Sequence, residues 1–143
     1  MSDIDEVLKL ENQLCFPLYA CSRELVKKHR PYLDELNLTY TQYITMVVLW
    51  DKKKVNVKEL GEILYLDSGT LTPVLKSLEA KGFVYRHRSE EDERVLLVDV
   101  TPEGERLKER AVIVPENVSK TVNITDEEAS KLYSLLYKVL KGT

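Results

Sequence analysis

What this chain has little of narrows its identity first. It carries two cysteines, Cys15 and Cys21, among 143 residues, so free thiols are expected rather than a disulfide framework. It carries two histidines, and none sits in a cluster with acids that would activate a thiol for turnover. No enzymatic centre, metal or cofactor is therefore expected. No apolar run approaches the roughly 20 residues of a membrane helix. The N-terminal MSDIDEVLKLENQ is acidic where a secretion signal would be basic and then apolar, which points to a cytoplasmic protein with no membrane partner. No internal repeat or low-complexity linker divides the sequence, and one domain is the expectation at this length. Positive charge is not in excess either. The formal net charge is −3, which weighs against nucleic-acid binding, whose usual footprint is a basic domain.

The distribution of charge softens that last objection. Acids gather near the N-terminus, at Glu103 to Glu109 and at Asp126 to Glu128. The stretch Arg86-His87-Arg88-Ser89-Glu90-Glu91-Asp92-Glu93-Arg94 holds three arginines and a histidine. Local field, not net charge, sets where a polyanion docks.

Periodicity predicts a mainly α chain with a small β-wing. Val7, Leu10, Leu14, Leu18, Cys21 and Leu25 recur at spacings of three and four, which predicts a helix from about Asp3 to Arg30. Pro17 is expected to kink it, leaving the Gln13 carbonyl free. Pro31 to Leu36 reads as a separate short helical turn. Thr39 and Gln42 have capping-box spacing and open a helix through Trp50. Asn56, answered by Glu59, caps a short helix whose Leu60, Ile63 and Leu64 are expected to face inward. The next helix packs Leu71, Val74, Leu75 and Leu78 against it and stops at Gly82. Phe83–His87 and Val95–Val100 read as two antiparallel strands. Thr101-Pro102 starts a long helix to about Asn117, disturbed near its end by Pro115. Thr125 and Glu128 form a second capping box, before a stripe of Ala129, Leu132, Leu135, Leu136, Val139 and Leu140.

Two short helices followed by a basic hairpin have the order of a winged helix-turn-helix. That reading leaves Ser68, Thr70, Thr72 and Lys76 outward on the second helix. Hydroxyls at a helix N-terminus can bond phosphates and base edges. Pro73 disfavours helical geometry at Thr72, so the helix is expected to begin late or with a distorted first turn. In the hairpin, Arg94 is expected in the minor groove, oriented by Asp92, with Arg86 and Arg88 on phosphates. The plainer alternative is a capped helix and a mixed-charge surface hairpin, and Glu90, Glu91 and Glu93 favour it. The terminal stretches carry more apolar surface than the centre can cover, so an intertwined helical homodimer is expected. Residues 1–36 and 101–143 would form its dimerisation region and 37–100 the DNA-binding region. Two-fold symmetry suits a palindromic site.

Cys15 lies among Leu14, Phe16, Leu18 and Tyr19. The plain reading is a small buried hydrophobe. A reactive thiolate needs donors. A helix N-terminus is not expected to supply them, because Cys15 lies well inside the predicted first helix. Tyr19, one turn later, Tyr40 and His29 are candidates. Cys21 lies about 9 Å further along the helix, beyond the roughly 7 Å between Cα atoms that a disulfide tolerates.

Four segments, Leu10–Phe16, Leu38–Tyr43, Tyr65–Pro73 (with Asp67, Ser68 and Gly69) and Arg88–Arg94, resemble the MarR family of bacterial winged-helix regulators. Within it they resemble the organic-hydroperoxide-sensing repressors called OhrR. The resemblance implies a homodimer that, when reduced, binds double-stranded, pseudo-palindromic operator DNA and represses a peroxide-detoxifying gene. It implies that Cys15 is the peroxidatic cysteine, contacted by Tyr40 of the other subunit, with Tyr19 nearby. His29 stands where relatives commonly carry a further tyrosine. No distal resolving cysteine is present, so the chain is similar to the one-cysteine type. An organic hydroperoxide is then the oxidant, and a low-molecular-weight thiol is a candidate partner of oxidised Cys15. Three rivals remain open on the residues alone: a regulator induced by a small aromatic acid with Cys15 as packing, a thiol peroxidase, and a protein-binding winged helix.

Overall fold

The computed structural model describes residues 2–142. Eight helices and three short strands follow one another: α1 Ser2–Val7, α2 Cys15–Glu35, α3 Tyr40–Lys52, β1 Lys54–Asn56, α4 Val57–Leu64, α5 Ser68–Ala80, β2 Val84–Arg88, β3 Leu96–Val100, α6 Pro102–Ala111, α7 Ile113–Val118 and α8 Asp126–Lys141. The core lies where α3, α4, α5 and the sheet meet. Met46, Leu49, Leu60, Leu71, Leu75, Leu78 and Val98 are essentially inaccessible there, with Val114 of α7 added from the side. The expected burial of Leu71, Val74, Leu75 and Leu78 holds, whereas Ile63 is 37% exposed.

The first helical stretch is not one kinked helix. α1 stops at Val7, a single 3-10 turn spans Leu10–Asn12, and α2 starts afresh at Cys15. The side-chain amides of Asn12 and Gln13 donate to the Glu6 and Val7 carbonyls. Such local bonds offer the backbone an alternative to the helical ladder. Pro17 becomes the third residue of α2, where its missing N–H costs no intrahelical bond. It therefore sets a helix start and not a kink. Pro31 begins no separate turn; it sits within α2.

The caps read from sequence are present. Thr39–Gln42 and Thr125–Glu128 are both reciprocal capping boxes, and Asn56 and Thr101 accept from Glu59 and Gly104. Gly82 takes φ +84° where Phe83 N–H reaches back to the Leu78 carbonyl, a left-handed stop that suits glycine. The sheet has three strands, in order β1-β3-β2, not the two expected. β1 pairs antiparallel with β3 through Val55↔Val98, and β2 with β3 through Val84↔Val100. The helix expected to reach Asn117 breaks at Val112, between α6 and α7. Pro115 has no N–H for the Ala111 carbonyl, so the ladder ends ahead of it.

Two surfaces remain apolar. Along α1 and the start of α2, Ile4, Val7, Leu8, Leu10, Leu14, Phe16 and Tyr19 are exposed. Every residue of α8 is exposed, including Leu132, Leu135, Leu136, Val139 and Leu140. A 16-residue helix has marginal stability by itself in water.

Candidate thiol switch and nucleic-acid interface

Cys15 is exposed and is the first residue of α2. The expectation that it lies too far along a helix to sit at an N-terminus is thus corrected: its place is the positive end of a 21-residue helix, which favours nearby negative charge. Tyr19 lies one turn on, 59% exposed, with the Arg23 guanidinium 5.3 Å from its ring centroid. The other two candidates gather elsewhere. The His29 ring stands edge-on to Tyr40, with centroids 4.9 Å apart, and Nδ1 lies 2.6 Å from the Leu25 carbonyl oxygen. Tyr43 joins them at 6.3 Å. Burial pushes the Tyr40 phenol above its ordinary range, and Tyr43 likewise, helped by Tyr40. Both hydroxyls remain protonated donors at neutral pH. A groove of about 230 Å³, bordered by Val26, Arg30, Leu38 and Tyr40, opens beside the group. His29 lies 14 residues beyond Cys15, about 21 Å along α2 at 1.5 Å per residue. Within one chain the candidate residues form two separate halves.

The helix-turn-helix is α4 and α5, joined through Tyr65 in the left-handed region at φ +56°. α5 begins neither late nor distorted; it starts at Ser68, because Asp67 Oδ1 accepts the Thr70 N–H at 2.7 Å. That bond holds the Asp67 carboxyl below its ordinary range. Ser68, Gly69, Thr70, Pro73 and Lys76 are exposed. Thr72 is half-buried, and its hydroxyl donates to the Ser68 carbonyl at 2.7 Å, so this residue braces the first turn. Pro73 lies inside α5 and takes the helical donor away from the Gly69 carbonyl.

In the hairpin, Asp92 accepts both the backbone N–H of Arg94, at 3.0 Å, and its guanidinium, at 3.1 and 3.2 Å. Asp92 is thereby held below its usual carboxylate range. The Arg94 side chain is 90% exposed, and Arg88 is exposed at the end of β2. Arg86 differs. Its Nε and Nη2 donate to Glu79 Oε1 at 3.2 and 2.9 Å, and its backbone N–H to Oε2 at 3.0 Å. The Arg86 side chain is committed to α5 and ties the hairpin to it. Sequence reasoning missed Glu79, because nothing local marks a partner seven residues away in another element; it also missed Tyr43, three residues after Tyr40, and Arg23, four after Tyr19, which helical spacing could have found. Among the described residues, no group of His, Cys, Asp and Glu could hold a metal, and no helix is long and apolar enough to cross a membrane.

The family model described as Transcriptional regulator SarA/Rot matches residues 24–111. The organic hydroperoxide resistance transcriptional regulator of Bacillus subtilis is 50% identical over 134 residues, covering 94% of this chain and 91% of the relative. The chain is a MarR/SarA-family transcriptional regulator. Relatives of this regulator are transcription factors and not enzymes, so the peroxidase reading falls away. A MarR mutant from E. coli, solved with operator DNA, superposes with a TM-score of 0.80 at 27% identity, covering 89% of this chain and 93% of that one. AbfR of Staphylococcus epidermidis has been solved in several states. Its reduced, DNA-bound form has a TM-score of 0.81 at 32% identity and 99% coverage of both chains. The overoxidised, DNA-bound form gives 0.80 at 33% identity, covering 96% of this chain and 97% of that one. The disulfide form gives 0.69 at 32% identity, covering 99% and 98%.

Proposed function

We propose that the regulator is a cytoplasmic homodimeric repressor. It grips a pseudo-palindromic operator while Cys15 is reduced and releases it once an organic hydroperoxide has oxidised that thiol. The observation that carries this reading is the division of the sensor residues. Cys15 and Tyr19 lie at the start of α2, whereas His29 stands about 21 Å beyond Cys15 along the helix with Tyr40 packed against it, and each half borders exposed apolar surface or an open groove. A second copy covering α8 and the N-terminal segment brings one half against the other. Residues 1–36 and 101–143 then form the dimerisation region, and 37–100 the DNA-binding region.

The reaction is a two-electron transfer. The Cys15 thiolate attacks the outer peroxide oxygen, an S–O bond forms, and the O–O bond breaks. The alkoxide takes a proton and leaves as an alcohol, and the sulfur becomes a sulfenic acid. Tyr40 and Tyr19 hydroxyls that donated to the thiolate lose their acceptor. A low-molecular-weight thiol can then condense with the sulfenic acid, releasing water. On the DNA, Ser68, Gly69, Thr70 and Lys76 face the major groove, Asp67 and Thr72 hold the first turn of α5 in shape, and Pro73 leaves the Gly69 carbonyl without its helical donor. Arg88 meets phosphate, Arg94 enters the minor groove steered by Asp92, and Arg86 stays with Glu79. A thousandfold drop in affinity requires about 4 kcal/mol of coupling between the two sites. The test is operator binding by fluorescence anisotropy before and after one equivalent of cumene hydroperoxide per thiol. Wild type is expected to weaken sharply and Cys15→Ser to be unaffected; unchanged wild-type binding overturns the reading.

A further inference from the structure

Gln42 is one of two buried polar side chains among the described residues, 7% exposed. A cap residue needs no such burial, because a capping box works on an open surface. Its other bonds explain its place. Gln42 Oε1 accepts the Thr39 N–H at 3.0 Å and also the Lys81 Nζ at 2.9 Å. Gln42 Nε2 donates to Ser77 Oγ at 2.9 Å. Lys81 Nζ reaches further, to the Asn37 carbonyl, in the turn that ends α2, where Asn37 holds φ +55°. Ser77 and Lys81 are the last turn and the C-terminal cap of α5. Burial lowers the Lys81 ammonium from its ordinary range, so this cation is partly dehydrated where it meets two oxygens.

These bonds tie the rear of the DNA-reading helix to the corner between α2 and α3. Tyr40 is the first residue of α3 and sits in that corner, against His29. The front of α5, at Ser68, lies nine residues ahead of Ser77, about 13 Å along the axis. A tilt of about 10° at the rear moves the front by roughly 2 Å over that length, enough to take a hydrogen bond out of range. The hydrophobic packing between α3 and α5 is non-directional, whereas these hydrogen bonds are directional.

We propose that Gln42 and Lys81 are positioning residues that carry a change at Tyr40 to the operator-reading face of α5. The proposal rests on Tyr40 belonging to the peroxide sensor. Neither residue touches DNA or the thiol. Their role is to make the corner and the helix move as one body.

The experiment compares operator affinity of reduced and cumene hydroperoxide-treated protein for wild type, Gln42→Met, Lys81→Met and Gln42→Glu. Gln42→Met keeps side-chain length and removes the bonds. Gln42→Glu keeps an acceptor for Lys81 and Thr39, and the Ser77 hydroxyl turns to donate to it. Gln42→Met and Lys81→Met are expected to keep reduced affinity within a few-fold of wild type. Their oxidised forms should hold the operator at least tenfold more tightly than oxidised wild type, while Gln42→Glu restores release. A merely structural role would lower the melting temperature of both methionine variants and leave the ratio of reduced to oxidised affinity unchanged; that result overturns the proposal. Should Gln42→Met fail to fold, Lys81→Met and Ser77→Ala decide by the same ratio. Wild type that does not release its operator on oxidation overturns the sensor reading itself, whatever the variants do.

Discussion

The salt dependence of operator binding separates the cations proposed to face DNA from the one the fold keeps for itself. Lys76, Arg88 and Arg94 are exposed on the face that carries the start of α5 and the hairpin. Arg86 is held by Glu79 through three bonds. In the proposed two-fold complex these three residues supply six exposed cations; Arg94 counts because its side chain is 90% exposed although Asp92 pairs with it, whereas the Arg86 side chain is 21% exposed. Each neutralised phosphate contributes about −0.9 to the slope of log affinity against log salt, which predicts a slope of about −5 and roughly a thousandfold loss between 50 and 200 mM salt. Arg94→Ala removes two cations from the complex. Its slope is expected to shrink by about 2, and the loss over the same salt range to fall to about a hundredfold. Arg86→Ala removes the same formal charge and is expected to leave the slope unchanged while loosening the hairpin. Anisotropy titrations of a fixed operator at four salt concentrations give the slopes. An Arg86→Ala slope reduced as much as that of Arg94→Ala, or an Arg94→Ala slope equal to wild type, refutes the assignment.

Two further outcomes follow from the packing and the caps. A Cβ at Gly104 would collide with the Phe83 carbonyl oxygen and lie 2.8 Å from Val100 Cγ2. That oxygen already accepts the Thr101 N–H and cannot retreat. Meanwhile the Gly104 carbonyl accepts Trp50 Nε1 at 2.8 Å. Gly104→Ala is expected to cost about 1–3 kcal/mol, read as a lower urea midpoint at constant slope, and an unchanged midpoint contradicts the crowding. The Asp67 carboxyl is lowered by the Thr70 N–H, so its contribution is complete above the unfolded carboxylate range and is lost as pH falls through the depressed folded value. Melting temperature followed from about pH 5 to pH 2 should drop further for wild type than for Asp67→Asn, which caps without titrating; parallel curves exclude the effect.

Features set by a few adjacent residues were legible in the sequence. Thr39 with Gln42, Thr125 with Glu128, Asn56, Thr101-Pro102 and Gly82 all stand where their chemistry puts them, because a cap is decided within four residues. Asp92 beside Arg94 belongs to the same class. Pro17 was not so decided. A proline either kinks a helix or begins one, and here the amides of Asn12 and Gln13, bonded to α1 carbonyls, select the second. That choice moves Cys15 from mid-helix to a helix start. β1 was invisible because three residues carry no periodicity; they pair only because β3 offers an edge. Arg86 reads as a DNA contact by composition and becomes an internal tie by the position of Glu79. Gln42 was readable as a cap, but its bonds to Ser77 and Lys81, 35 and 39 residues away, depend on tertiary packing.

A sensor completed by two copies makes a mixed dimer the decisive measurement. One copy carries Cys15→Ser with Tyr40 intact; the other carries Tyr40→Phe with Cys15 intact. If Cys15 of one copy works with Tyr40 of the other, the mixed dimer retains one whole site. Cumene hydroperoxide should then release it from the operator while the two parental homodimers stay bound. A mixed dimer as unresponsive as both parents would contradict the account.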